Sequence, residues 1–311
     1  MNLNIKKLIL LSILLFSGFL TFKFSFSHLF GYKKTGLGTV LNSPKADILI
    51  IGSTHVRFSY DTKLMEKKCG CSVQAVSYSY LNYPLIFDIL EFLKGEDKLP
   101  KQKLIIDHYA LLFFKNREFV DTRLFFEAPP NLKFKILRYM KNKLTSLGLK
   151  DFYRFIVTSE NELMINYLWN RPLVDKRDYN GSYQAKKIRG VDQKKYETFK
   201  VSDLSFDFKN FNEYDFKQMI KINNDFKSAY YQIYFVETPL PPTVWKNSKL
   251  VKFRESYHQK LAKNQIKLID SNYDYELMEL EAKSFMDENH LSTSGREKFS
   301  KYFILKIFEE F

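Results

Sequence analysis

The stretch Ala46–Tyr60, ADILIIGSTHVRFSY, constrains this chain more than any other. Ile48, Leu49, Ile50 and Ile51 run apolar without alternation. A short Ile-rich run of that kind suits a strand buried on both faces of a parallel sheet. Gly52 then interrupts it, and a sharp turn there is expected because glycine turns at no steric cost. Ser53 would sit at the carboxyl end of the strand, where open α/β sheets place ligands and chemistry.

The chain beyond repeats that rhythm. A helix is expected at Thr62–Lys68, a strand at Ser72–Val76, a helix at Tyr83–Lys94 closed by Gly95, and a buried strand at Lys103–Asp107. This βαβαβ order is that of a parallel sheet with right-handed crossovers. It resumes late in the chain. Phe211–Ser228 reads as a helix, Gln232–Val236 as a strand, Leu250–Asn264 as a helix, Ile266–Asp270 as a strand and Ser294–Glu310 as the closing helix. The expected body is a three-layer α/β fold with roughly five parallel strands.

Between these halves, about 114–200 breaks the pattern. Pro129–Pro130, an amphipathic helix near Leu132–Leu147 and a second helix near Asp151–Tyr167 read as a helical insertion over the carboxyl edge of the sheet. No internal repeat and no long low-complexity segment is evident.

The far end supplies a partner for Ser53. Residues Phe285–Gly295, FMDENHLSTSG, set Asp287 and His290 three apart in a loop before the last helix. A serine hydroxyl is a weak nucleophile until a base takes its proton. A carboxylate beside that base fixes its tautomer and stabilises the imidazolium. Among the five histidines, His290 alone has a carboxylate three residues before it in such a loop. His55, two residues from Ser53, competes as the base, but a residue there in a tight turn usually points away. His108 follows a core strand and reads as a residue paired locally at the strand end.

A GST after the first core strand and DENHL before the last helix resemble the SGNH (GDSL-like) hydrolase superfamily. More narrowly, G-S-T-x-x-R behind an apolar N-terminus looks like the SGNH-like proteins of cell-envelope acyl transfer, which include relatives of the alginate O-acetylation and teichoic-acid D-alanyl transfer proteins. The resemblance implies an SGNH-like domain over 46–311. Ser53 would be the nucleophile, His290 the base and Asp287 its orienter. It also implies oxyanion donors after the second and third strands. The second falls at Ser77–Tyr80 with no glycine, which leaves the backbone of Ser79 or Tyr80. The third falls at Asp107–Ala110 with no asparagine. These departures count against a general-purpose GDSL esterase.

The N-terminus bears on location. Lys6 and Lys7 precede an apolar run, Leu8 to Phe22, which Lys23 interrupts before Phe24–Phe30. No small-residue cleavage site follows. A membrane anchor or signal segment is expected over 1–30, an uncleaved transmembrane helix in preference to a cleaved signal, with 31–45 a turn-rich linker and the body outside the cytoplasm, periplasmic or extracellular.

The net charge is +14, but the basic residues are dispersed and no nucleic-acid motif appears. No nucleic-acid partner is expected. Cys69 and Cys71 have no His or Cys cluster around them, so neither a metal nor any other cofactor is expected, and both read as small buried side chains. Two functions remain open. One is an O-acyltransferase or esterase with an acylated donor and a glycan or other surface acceptor, working alone or with a membrane-bound acyltransferase. The other is a non-catalytic envelope protein that binds glycan or such a partner.

Overall fold

The structure, a computed structural model, describes residues 3–30, 36–108, 124–125, 128–139, 178–179, 182–183, 188–199, 213–228 and 230–309. Its centre is a five-stranded parallel sheet in the order β2-β1-β3-β6-β7. The strands are β1 (Ile48–Gly52), β2 (Val73–Ser77), β3 (Lys103–Asp107), β6 (Gln232–Glu237) and β7 (Leu268–Asp270). A separate two-stranded antiparallel ladder, β4 (Asp178–Tyr179) and β5 (Ser182–Tyr183), lies against β2 and the helix that follows β1.

The expected sheet is present because alternate residues of each strand serve opposite cores. Leu49 and Ile51 of β1 join Leu104 and Ile106 of β3 in one apolar cluster. Ile48 and Ile50 join Ile105 on the other face. Every residue of β1 and β3 is buried, which is why the sequence shows unbroken apolar runs instead of alternation. On the first face lie α2 (Gly36–Asn42), α5 (Tyr83–Gly95) and α7 (Glu213–Asp225). On the second lie α3 (Thr54–Ser59), α4 (Thr62–Cys69) and α10 (Thr293–Glu309). Further helices are α1 (Leu3–Phe30), α6 (Gln193–Glu197), α8 (Pro242–Trp245) and α9 (Ser248–Lys263).

Strand order reverses between β1 and β3. In open α/β sheets the crevice outside the carboxyl ends at that reversal is where ligands bind.

Several expectations change. Among the described residues no helix is long and apolar enough to cross a membrane, which overturns the transmembrane helix. The reason is length. α1 is continuous over 28 residues. Its uncharged, mostly apolar run, Leu8 to Phe22, covers only about 22 Å at ~1.5 Å per residue. The hydrocarbon core of a bilayer is about 30 Å.

Within 31–45, α2 folds onto the first core with Leu37 and Val40 buried, and the Leu37 N–H donates to the Tyr78 hydroxyl at 2.9 Å. Cys69 and Cys71 are not separate buried side chains. They form a disulfide, with their Cα atoms 5.2 Å apart. Gly70 between them takes the left-handed conformation, φ 65°, that ends α4. That turn brings the two Cα atoms into bonding range. Of the insertion, a helical stretch over 130–139 is seen and agrees with the first expected helix, while the second, 151–167, lies outside the described residues.

Gly52 also has a different reason from the one expected. It remains in β1 and has no positive φ. A Cβ there would meet Asp107 Cβ at 2.7 Å and Val56 Cγ2 at 2.9 Å. Glycine is needed for close approach of the β1 end to β3.

Candidate active site

Ser53 follows β1 directly and caps α3. Its backbone is extended, and its Oγ accepts a long hydrogen bond from the His55 N–H at 3.5 Å. The Ser77 hydroxyl donates to the Ser53 carbonyl at 2.7 Å. Ser53 is buried, with 5% of its surface exposed, whereas Thr54 is half-buried.

Asp287 and His290 come from a loop that crosses back over the same edge. A short 3-10 turn, Ala282–Ser284, leads into it. Phe285 pairs with Leu291, and the Met286 N–H donates to the His290 carbonyl at 3.0 Å, so the loop is pinched at its neck. Inside, Asp287 Oδ1 accepts from the N–H groups of Asn289 and His290 at 2.9 and 2.8 Å. Asp residues favour such turns because their carboxylate can satisfy backbone N–H groups two and three residues on. Both Asp287 oxygens also lie 3.0 Å from His290 Nδ1.

The surroundings fix the protonation states. Burial raises the Asp287 pKa. Its hydrogen bond to His290, the charge of that ring and the two N–H groups outweigh burial and hold it below the usual carboxylate range. An ionised carboxylate only accepts, so Nδ1 of His290 donates to it, which leaves Nε2 as the nitrogen that can take a proton from a neighbouring hydroxyl. The ring is held by stacking on His55, centroids 4.8 Å apart, and by an edge contact with Phe58 at 4.7 Å. His55 is driven well below the ordinary histidine value, first by burial and then by His290, so it stays neutral.

Nε2 of His290 faces Thr54 Oγ1, at 3.4 Å. Asp287, His290 and the β1–α3 turn are therefore brought together, but the hydroxyl in contact with the base is that of Thr54. The sequence pointed to Ser53 because it directly follows the first core strand and its place in GST resembles the superfamily serine. Nothing in the residue types separates two adjacent hydroxyls; the turn geometry does.

The Tyr78 N–H donates to the Gly52 carbonyl at 3.2 Å, which sets the Ser79–Tyr80 turn beside the end of β1. Tyr80 has φ 56°, and its ring is exposed. At the third oxyanion position Asp107 is fully buried under Gly52, and burial together with the Asp107 charge pushes the Tyr60 hydroxyl pKa up. His108 is buried between the Tyr83 and Tyr257 hydroxyls and stacks on the Tyr257 ring. It is paired at the strand end, as expected.

A second charged group lies at the carboxyl ends of β6 and β7. Glu237 and Asp270 are register partners. Arg254 of α9 donates from Nε and Nη2 to Glu237 Oε2, at 3.0 and 2.8 Å, and from Nη2 to Asp270. His258 Nε2 lies 3.1 Å from Glu237 Oε1. Glu237, His258 and Asp270 are close enough to share a cation. The Arg254 guanidinium already holds an oxygen of each carboxylate, so the charge a metal would bring is supplied. A cavity of about 300 Å³, lined by residues including Trp245, Tyr273 and Tyr275, opens beyond β7 and includes no residue of the His290 cluster.

No known protein family matches the chain, and no curated protein does. Among solved structures it is similar to a Streptococcus pneumonia protein described as a platelet activating factor. That likeness is 11% identity with a TM-score of 0.39, over 96% of this chain and 98% of the other. It carries no argument about activity.

Proposed function

We propose that this protein performs acyl-ester chemistry, transferring an acyl group to a hydroxyl acceptor or to water at the β1–α3 turn. The observation that carries the reading is the relay from the Asp287 carboxylate to His290 Nδ1, with Nε2 aimed at a hydroxyl of that turn. Such a hydroxyl, imidazole and carboxylate in series activate a weak nucleophile near neutral pH. The crevice at the strand-order reversal gives a substrate room to approach. The proposed acceptor is a glycan or other surface molecule, on the resemblance of the two motifs.

The Cys69–Cys71 bridge supports a body that works outside the cytoplasm, because disulfides persist in oxidising compartments.

The test is turnover of an activated acetyl ester, p-nitrophenyl acetate, by the full chain. We expect His290→Ala to lower the rate by about 10²–10⁴-fold, the usual contribution of a positioned acid–base group. A variant as active as the wild type would end the catalytic reading and leave a binding protein.

A further inference from the structure

We infer that Thr54, and not Ser53, is the nucleophile of this site. The inference rests on the acyl-transfer reading above and assigns the atom that attacks. Three observations carry it. His290 Nε2, the nitrogen that can take a proton, is 3.4 Å from Thr54 Oγ1. Ser53 Oγ instead faces the start of α3, accepting from the His55 N–H. Thr54 is half-buried and Ser53 buried, so the threonine is the more open of the two residues to a substrate.

The chain placement explains the difference. Ser53 is the cap residue, with φ −78° and ψ −162°, and a capping side chain turns inward towards the first N–H groups of the helix. Thr54 is the first helical residue, so its side chain leaves on the outer side of the turn. There it meets the ring that the Phe285–Leu291 loop carries over the edge. Threonine hydroxyls form covalent intermediates when a base is adjacent. The β-branch also restricts χ1, which holds Oγ1 in few positions.

The step balances as follows. The Thr54 Oγ1–H proton passes to His290 Nε2 as the oxygen bonds to the acyl carbon. The ester C–O bond then breaks, and the leaving alkoxide takes the proton back from Nε2. A sugar hydroxyl or water, deprotonated by the same nitrogen, attacks the acyl-threonine and restores the free hydroxyl. Asp287 keeps its negative charge throughout and stabilises the imidazolium formed twice per cycle.

The experiment is labelling of the full chain with a fluorophosphonate probe, with the adduct located by peptide mass spectrometry. Wild type, Ser53→Ala, Thr54→Val, Thr54→Ser and His290→Ala are compared, each checked for native circular dichroism. The inference expects the adduct on Thr54 and labelling retained in Ser53→Ala. It expects loss of about a hundredfold or more in Thr54→Val and His290→Ala, the scale of a lost acid–base or nucleophilic group. Thr54→Ser should label at least as fast as wild type, since a serine keeps the oxygen and removes the methyl. If Thr54→Val fails to fold, the mass of the wild-type adduct and the Thr54→Ser variant still decide. An adduct on Ser53, with labelling lost in Ser53→Ala and kept in Thr54→Val, overturns the inference while the acyl-transfer reading stands. A folded wild type that neither labels nor turns over p-nitrophenyl acetate overturns both.

Discussion

His108 shows how one buried side chain ties stability to pH. It is fully buried among Tyr83, Tyr257 and Glu237, with His258 and Arg254 beyond. Burial lowers its pKa from 6.5 to about 4, Glu237 pulling the other way and His258 and Arg254 adding to the fall. A histidine whose folded pKa is depressed contributes stability that is complete above the unfolded value. That contribution is lost as pH falls through the window from about 6.5 to about 4. The full loss is on the order of 3 kcal/mol at ~1.4 kcal/mol per pH unit. We expect urea midpoints of the wild type to drop between pH 7 and pH 4.5. His108→Gln should be less stable at pH 7 but flatter across that range, and an unchanged slope in the variant would place the acid sensitivity elsewhere.

Legibility at this scale is uneven. Asp287 and His290 were readable because their spacing lets one carboxylate satisfy both the loop backbone and the ring. Which hydroxyl of the turn lies against His290 Nε2 was not, because that contact joins residues 236 apart and depends on how the β1–α3 turn is set.

Among elements, α9 is fixed to the sheet by charge as well as by Tyr257 and Leu261. Arg254, 4% exposed, bridges Glu237 of β6 and Asp270 of β7. Burial opposes the charge on Glu237, but Arg254 and the neighbouring histidines hold its pKa down to about 2. Asp270 rises to about 6 through burial and the Glu237 charge, against the pull of Arg254. Removing the arginine strands two buried carboxylates. We expect Arg254→Leu to cost about 3–5 kcal/mol at pH 7, the usual cost of breaking a buried pair. Part should be regained at pH 5, where Asp270 takes a proton. Equilibrium urea unfolding at both pH values checks this.

Strands and most helices were legible within two or three residues, since buried runs and caps are local signals. Ser53, Asp61 and Asn82 each cap the helix that follows. The arginine network was not, because its members lie 16 and 17 residues apart with no periodic signature. The Cys69–Cys71 bridge was missed for a related reason. Cysteines two positions apart bond only when the backbone between them folds back, and here the left-handed Gly70 does that.

At the scale of the whole molecule, both halves of the chain converge on one edge. β1 and its turn come from the first sixty residues and the Asp287 loop from the last thirty. The loop is held by distant chain as well. The Ile188 N–H donates to Thr293 Oγ1 at 2.9 Å, and the Val191 N–H to the Phe285 carbonyl at 2.8 Å. The last part of the insertion is thus stitched to both sides of the loop. The expected transmembrane helix failed at this same scale, because the apolar N-terminal run looked long only when counted across Lys23.

Two glycines close against the turn that starts the loop. A Cβ on Gly190 would sit 1.7 Å from the Lys283 carbonyl oxygen, and one on Gly295 would sit 2.0 Å from that of Ser284. Neither neighbour is a flexible side-chain tip, so a single methyl at either place must displace backbone. We expect Gly190→Ala to keep the sheet, seen as near-native far-ultraviolet circular dichroism, while turnover falls at least about tenfold, a change of ~1.4 kcal/mol in barrier. Wild-type rates in that variant would show that the loop tolerates the shift. The consequence reaches into genetics. These positions are where conditional alleles should arise, proteins assembled at low temperature and silent at high temperature. A random screen for such alleles would be expected to return two glycine codons about a hundred residues apart, Gly190 within the insertion and Gly295 at the start of the last helix.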